Sequence, residues 1–227
     1  MSAPTVVVFD VNETLLDLAA LDPLFEKHLG DPALRPAWFA TMLQVAFVGG
    51  LTQRYVDFTA AQHAALQMTA RRAGRSISDA DSDAVIAAMR RLPAHPDARP
   101  ALEQLRAAGM VITALTNSVH EVASDQLHHA GLADLFAGIY SADAVRKPQP
   151  QPEPYRMVAD KHHVDISAVW LVAAHGWDIS GALAAGCRAA FVARPGAALI
   201  PLGPQPEVVG HDLEEVAVQL SAATTGS

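Results

Sequence analysis

The sequence predicts an α/β fold: a doubly wound parallel sheet that carries an inserted all-helical cap. Three observations predict it. Short, wholly apolar runs recur along the chain with helix-like stretches between them, the alternation expected of parallel strands covered by helices on both faces. One long region, from about Leu15 to Leu92, breaks that rhythm and shows helical patterning alone. Finally, 227 residues, 51% of them apolar and 18% charged, can bury a core without staples.

The first strand is read at Thr5–Phe9, where β-branched residues run straight into Asp10. Helices follow around Leu21–His28, Ala37–Val48, Tyr55–Ala73 and Asp79–Arg91, the last with Ser78 as its N-cap candidate. Pro93-Ala94-His95-Pro96 then punctuates the return to the α/β pattern. From there the chain reads as helix Ala98–Ala108, strand Val111–Leu115, helix Val119–Ala130 and a short strand Gly138–Tyr140. Helix Glu153–His163, strand Val169–Ala173, helix Ile179–Ala185 and strand Ala189–Ala193 complete it. The closing SAATTGS reads as a frayed tail. The expected domains are a core of 1–14 and 96–227 and a helical cap of 15–95, seated over the carboxyl ends of the strands where open α/β sheets place their ligands.

Charge narrows the partners. Lys and Arg number 16 against 24 Asp and Glu, a formal net charge of −8, and no basic stripe stands out. This excludes a nucleic-acid or anionic-membrane footprint and leaves a small molecule as the expected partner. The start, MSAPTVVVFD, has no basic n-region, and no apolar run approaches the ~20 residues of a membrane span. The single cysteine, Cys187, lies among apolar neighbours and reads as a buried residue in a reducing cytoplasm.

The chemistry is expected at strand ends. A carboxylate closing a buried strand costs burial energy unless something stabilises it, so Asp10 alone reads as a turn or capping residue. Three other strand ends change that reading: Thr116-Asn117-Ser118 after the second strand, Lys147 after Gly138–Tyr140, and Ala173-Ala174-His175-Gly176-Trp177-Asp178 after Val169–Ala173. Two carboxylates, a hydroxyl and amide cluster and a lysine could converge on one crevice.

FDVNETLLD, LTNS and WDISGALAAGCRAAFVAR together resemble the haloacid dehalogenase superfamily, and within it the type II 2-haloacid dehalogenases. The resemblance spans almost the whole chain and implies a Rossmann-like core with a helical cap. It implies metal-independent hydrolysis of short 2-haloalkanoic acids to 2-hydroxy acids, with no cofactor, by a homodimer. In that mechanism Asp10 attacks the α-carbon, giving an aspartyl ester that water cleaves at its carbonyl. Lys147 would favour the ionised Asp10, Asp178 would orient the lysine or activate water, and Thr14 would hydrogen-bond Asp10. Ser118 and Asn117 would bind the substrate carboxylate, with Tyr155 packed beside the site and Asn12, Phe39 and His175 also lining it.

Asn12 stands where superfamily phosphatases carry the acidic residue that protonates a leaving group, and AAHGWD holds one carboxylate where they carry two. Phosphoryl transfer and a Mg²⁺ site, which needs several oxygen ligands, are therefore disfavoured. A phosphatase-like hydrolase and a non-catalytic binding protein on this scaffold are the alternatives.

Two departures from the dehalogenase pattern stand out. Phe39, after Trp38, occupies the place of the cap arginine that receives the halide. It reads either as cap core or as the wall of an apolar pocket, with Arg35 and Arg54 as further anion partners read as surface residues. The lysine, expected six residues before Tyr155, is Gln149 there; either the proline-rich loop lets Lys147 reach Asp10, the reading taken here, or Gln149 fills the space. His175, where the family often carries asparagine, reads as a neutral general base or a polar lining residue.

Overall fold

The computed structural model describes residues 5–225. Residues 1–4 and 226–227, which include the end of the expected tail, lie outside them. Six strands, β1 (Val6–Phe9), β2 (Val111–Thr116), β3 (Gly138–Ser141), β4 (Val169–Ala173), β5 (Arg188–Val192) and β6 (Val208–Gly210), form one sheet in the order β3-β2-β1-β4-β5-β6. Every neighbouring pair is parallel. The chain winds outward from β1 to β3, then returns to β4 on the other side of β1. The switch point therefore lies at the carboxyl ends of β1, β2 and β4, where a crevice opens in doubly wound sheets. Val6, Val7, Val8 and Phe9 are all buried because helices cover both faces.

Between β1 and β2 come α1 (Asp22–Leu29), α2 (Leu34–Leu51), α3 (Phe58–Arg72), α4 (Asp79–Met89) and α5 (Ala98–Ala107). The first four make up a helical segment inserted between β1 and α5. Ser78 caps α4 by accepting from the Asp81 amide, and Asp57 caps α3 by accepting from that of Ala60, each satisfying an otherwise orphaned donor. Trp38 anchors the insert: it is fully buried, tilts against Phe25 with ring centroids 5.3 Å apart, and donates its indole N–H to the Gln62 carbonyl at 3.1 Å. The chain enters and leaves the insert side by side, with Asp17 N donating to the Pro93 carbonyl at 2.9 Å and His95 N to that of Leu15 at 2.8 Å.

The remaining helices are α6 (His120–His129), α7 (Pro152–His162), α8 (Gly176–Ala185) and α9 (Leu213–Thr225). Three sequence expectations are corrected. β6 and α9 were not foreseen, since three strand residues after the proline- and glycine-rich stretch 195–206 carry too little pattern. Residues 221–225 of the expected frayed tail continue α9. Finally, α8 begins at Gly176, three residues before the expected Ile179, which places Asp178 in its first turn. Cys187 is buried, as read.

Candidate active site

The loop after β1 builds the floor. The Asp10 amide donates to the Val172 carbonyl at 3.0 Å, extending the β1–β4 ladder by one residue and setting the carboxylate at the sheet's edge. Thr14 Oγ1 donates to Asp10 Oδ2 at 2.7 Å and accepts from the Ala174 amide at 2.9 Å. A carboxylate oxygen can only accept, so the hydroxyl proton points to Asp10. Glu13, between them, sits at φ 61°, a left-handed conformation that costs a non-glycine residue roughly 1–3 kcal/mol and persists where surroundings enforce it.

The ring of His175 bridges Asp10 and Glu13. Its Nδ1 lies 2.9 Å from Asp10 Oδ2 and its Nε2 3.0 Å from Glu13 Oε2. A neutral imidazole could donate to only one of the two carboxylates. Burial lowers the affinity of His175 for its second proton, but the hydrogen bonds and charges of Asp10 and Glu13 outweigh burial and raise its pKa to about 10. The ring is therefore an imidazolium near neutral pH, correcting the expectation of a neutral base. Phe39 (centroids 5.6 Å apart, 19° between planes) and Trp177 (5.1 Å, 24°) both stack with the ring. Glu13 Oε1 lies 3.6 Å from Arg35 Nη1, and Arg35 Nε lies 2.5 Å from Asp22 Oδ1. Arg35, read as a surface residue, is thus largely buried and joins the insert to the floor; Arg54 is exposed as read.

The back wall departs from expectation at the lysine. Among the described residues Lys147 forms no ion pair with Asp10, whose charged partner is His175. Gln149 is the fully buried residue there, and its Nε2 donates to Asp178 Oδ1 at 2.8 Å. The cause is local packing. Asn117 Oδ1 accepts from the Gln149 amide at 2.8 Å and Asn117 Nδ2 donates to the Gln149 carbonyl at 3.3 Å. Gly181 presents no Cβ, which would lie 2.4 Å from that of Pro150, so the loop can rest on α8. Asn117, expected to bind substrate, has both ends of its amide occupied by this clamp.

Asp178 is fully buried and also accepts a short hydrogen bond from Tyr155 Oη. Burial, and then the Asp10 charge, raise its pKa to about 7, against the opposing effects of Tyr155, His175 and Gln149. Its Oδ2 and the Oε1 of Gln149 are buried and unpartnered among the described residues. On the opposite side, Asn12 donates to Ser118 Oγ at 3.3 Å and accepts from Gln126 Nε2 at 3.0 Å. Ser118 thus keeps its hydroxyl proton free to donate.

A cavity of about 650 Å³ opens beside this cluster, lined by Glu13, Arg35, Phe39, Leu43, His175 and Trp177 among others. Phe39 fits both of its sequence readings, being buried and also part of this wall. Sequence reasoning missed Glu13 and Trp177. The one available signal was their place, each one residue from a motif position.

An all-parallel sheet with a buried carboxylate at its switch point, a helical insert beside it and Asp178 behind defines a hydrolase scaffold of a particular kind. The chain belongs to the haloacid dehalogenase-like hydrolases, whose family model matches residues 4–186. It is 27% identical over 203 residues to haloacetate dehalogenase H-2 of Moraxella sp. (strain B), covering 88% of this chain and 91% of that protein. It is 29% identical over 177 residues to (S)-2-haloacid dehalogenase 4A of Burkholderia cepacia, covering 77% of each. The crystal structure of an L-2-haloacid dehalogenase, RSc1362, superposes with a TM-score of 0.90 at 25% identity, over 97% of this chain and 100% of that one.

Proposed function

We propose that this hydrolase converts short 2-haloalkanoic acids to 2-hydroxy acids by way of an ester on Asp10. One observation carries the reading most directly. Oδ2 of Asp10 is fixed by Thr14 and His175, while among the described residues no hydrogen bond reaches Oδ1, so one oxygen is oriented and the other is left to attack carbon. Relatives named as haloacid dehalogenases support the substrate class. Asn12, already engaged by Gln126 and Ser118, offers no acid for a phosphate leaving group.

Asp10 Oδ1 displaces halide from the α-carbon, forming one C–O bond as the C–X bond breaks. Water then adds to the ester carbonyl, giving up a proton to Asp178; collapse returns Asp10 as carboxylate and frees the 2-hydroxy acid. Per turnover, one 2-haloacid and one water become one 2-hydroxy acid, one halide and one proton. Ser118 would donate to the substrate carboxylate, and Phe39 and Leu43 would face its alkyl part. The helical insert, 15–95, acts as the cap over the site. No helix among the described residues is long and apolar enough to cross a membrane; buried Cys187 suits a reducing cytoplasm, and a homodimer is the assembly proposed.

Halide release from chloroacetate, bromoacetate and both enantiomers of 2-chloropropionate, with and without EDTA, tests this. The reading requires release that EDTA leaves unchanged and Asp10→Asn abolishes. Activity on phosphate esters alone, removed by EDTA, would overturn it.

A further inference from the structure

We propose that the His175 imidazolium and the Thr14 hydroxyl form the oxyanion hole for hydrolysis of the Asp10 ester, with Glu13 and Arg35 as the positioning residues that hold the ring. The inference rests on the ester chemistry proposed above and goes beyond it by assigning the two oxygens of Asp10 different fates. Thr14 Oγ1, at 2.7 Å, and His175 Nδ1, at 2.9 Å, both meet the same oxygen, Oδ2. When Oδ1 becomes the ester oxygen, Oδ2 becomes its carbonyl oxygen. The two donors that held a carboxylate then face the atom on which negative charge develops as water adds. Preorganised donors at that place are the arrangement that stabilises a tetrahedral intermediate.

Both donors are fixed as donors. Thr14 Oγ1 accepts from the Ala174 amide, and its own proton faces Oδ2, which can only accept. Glu13 occupies the far nitrogen of His175, so Nδ1 and Nε2 must both carry protons to satisfy two carboxylates. Phe39 and Trp177 both stack with the ring, and Arg35 reaches Glu13 from the insert. The charged groups facing the ring are Asp10 and Glu13 directly, Arg35 through Glu13, and Asp178 from α8. Alkylation of Asp10 removes one of these charges, yet Glu13 still anchors Nε2, so the ring keeps its place in the second step.

Electrons balance without a further reactant. Water's oxygen bonds the ester carbon and its proton passes to Asp178. The carbonyl π pair moves onto Oδ2, between Thr14 and His175, and returns as the C–Oδ1 bond breaks. The proton of the added hydroxyl goes to the departing alkoxide.

The test separates the two half-reactions. His175→Phe keeps a ring for the stack and removes both donors; His175→Asn retains one donor near Nδ1 and guards against a folding failure. With 2-chloropropionate, both variants should release a burst of about one halide per active site and then slow. Intact-protein mass should show the ester accumulating. Steady-state turnover should fall about 10²–10³-fold for His175→Phe, the cost of one lost oxyanion donor, and less for His175→Asn. Glu13→Gln should shift the alkaline limb of turnover to lower pH, which a merely structural role for Glu13 would not do. Turnover of His175→Phe equal to that of wild type, or loss of the burst itself in both variants, would overturn the assignment while leaving the Asp10 ester intact. A wild type that releases no halide from any haloacid would overturn the underlying reading instead.

Discussion

His175 Nδ1 stands 2.9 Å from Asp10 Oδ2, so the cation beside the buried carboxylate comes from the loop after β4. The loop after β3, where the sequence offers Lys147, supplies the neutral amide of Gln149 instead, directed at Asp178. The site thus carries its positive charge on the Asp10 side, and among the described residues Asp178 has no cationic hydrogen-bond partner. That division sets the pH behaviour of the enzyme and can be probed one residue at a time.

Gln149→Lys restores an ammonium beside Asp178. An opposite charge within a few ångströms favours the carboxylate, so the pKa of Asp178 should fall below its present value of about 7. If Asp178 takes water's proton, the acid limb of kcat should move to lower pH by at least one unit, in the range that a neighbouring cation typically produces. A pH–rate profile with an unmoved acid limb would deny Asp178 that role.

Asp178→Asn keeps the shape of the group and its acceptor for Tyr155 and Gln149 but removes the base. Secondary structure and Tm should change little, while turnover falls about 10²–10⁴-fold, the range for losing a positioned proton acceptor. Circular dichroism beside steady-state rates distinguishes this from unfolding.

Stability should fall on the alkaline side. The folded pKa of His175, about 10, lies above its ordinary 6.5, so the folded state binds more protons between those values. The contribution is fully present below about pH 6.5 and is lost as pH rises through 10. Asp178, also raised, acts with the same sign at lower pH, as the folded state holds a proton that the unfolded chain releases. Urea unfolding from pH 6 to 10 should show a declining midpoint for wild type and a flatter line for His175→Asn.

A buried ion pair braces the floor from outside. Arg194 pairs with Asp97 at 2.7 Å and donates to the Thr14 carbonyl at 2.9 Å, and Asp97 accepts from the Leu213 amide at 2.7 Å. Both side chains are 11% exposed. Removing one partner leaves the other uncompensated, so Arg194→Ala should destabilise the fold by about 3 kcal/mol. It should also slow turnover through the loosened Thr14; unfolding curves and rates measure both.

How much of this was legible in the sequence depended on the range of the signal. β1, β2 and β4 announced themselves as apolar β-branched runs, and β4 appears at its expected residues, Val169–Ala173. Ser78 announced the start of α4 by its chemistry. The places of Asp10, Ser118 and Asp178 after strands followed from the same local patterns, and the part of Thr14 from the family resemblance. What could not be read was which side chain meets which. Gln149 in place of Lys147 depends on the bare face of Gly181 against Pro150 and on the Asn117 clamp, which reaches across 32 residues of chain. The protonation of His175 depends on Glu13, 162 residues away, whose side chain is directed by a left-handed backbone that a sequence does not display. Arg35 looked like a surface residue because its two carboxylate partners come together only in the folded chain.

The ester on Asp10 is the central claim, and one single-turnover experiment tests it most directly. Enzyme in excess is mixed with 2-chloropropionate in heavy-oxygen water, quenched and digested, and the peptide containing Asp10 is weighed. Attack of water on the ester carbonyl predicts the heavy oxygen in the Asp10 carboxylate and ordinary oxygen in the first lactate formed. Heavy oxygen in the lactate, with an unlabelled Asp10 peptide, would mean that water attacks the substrate carbon directly and would contradict the account.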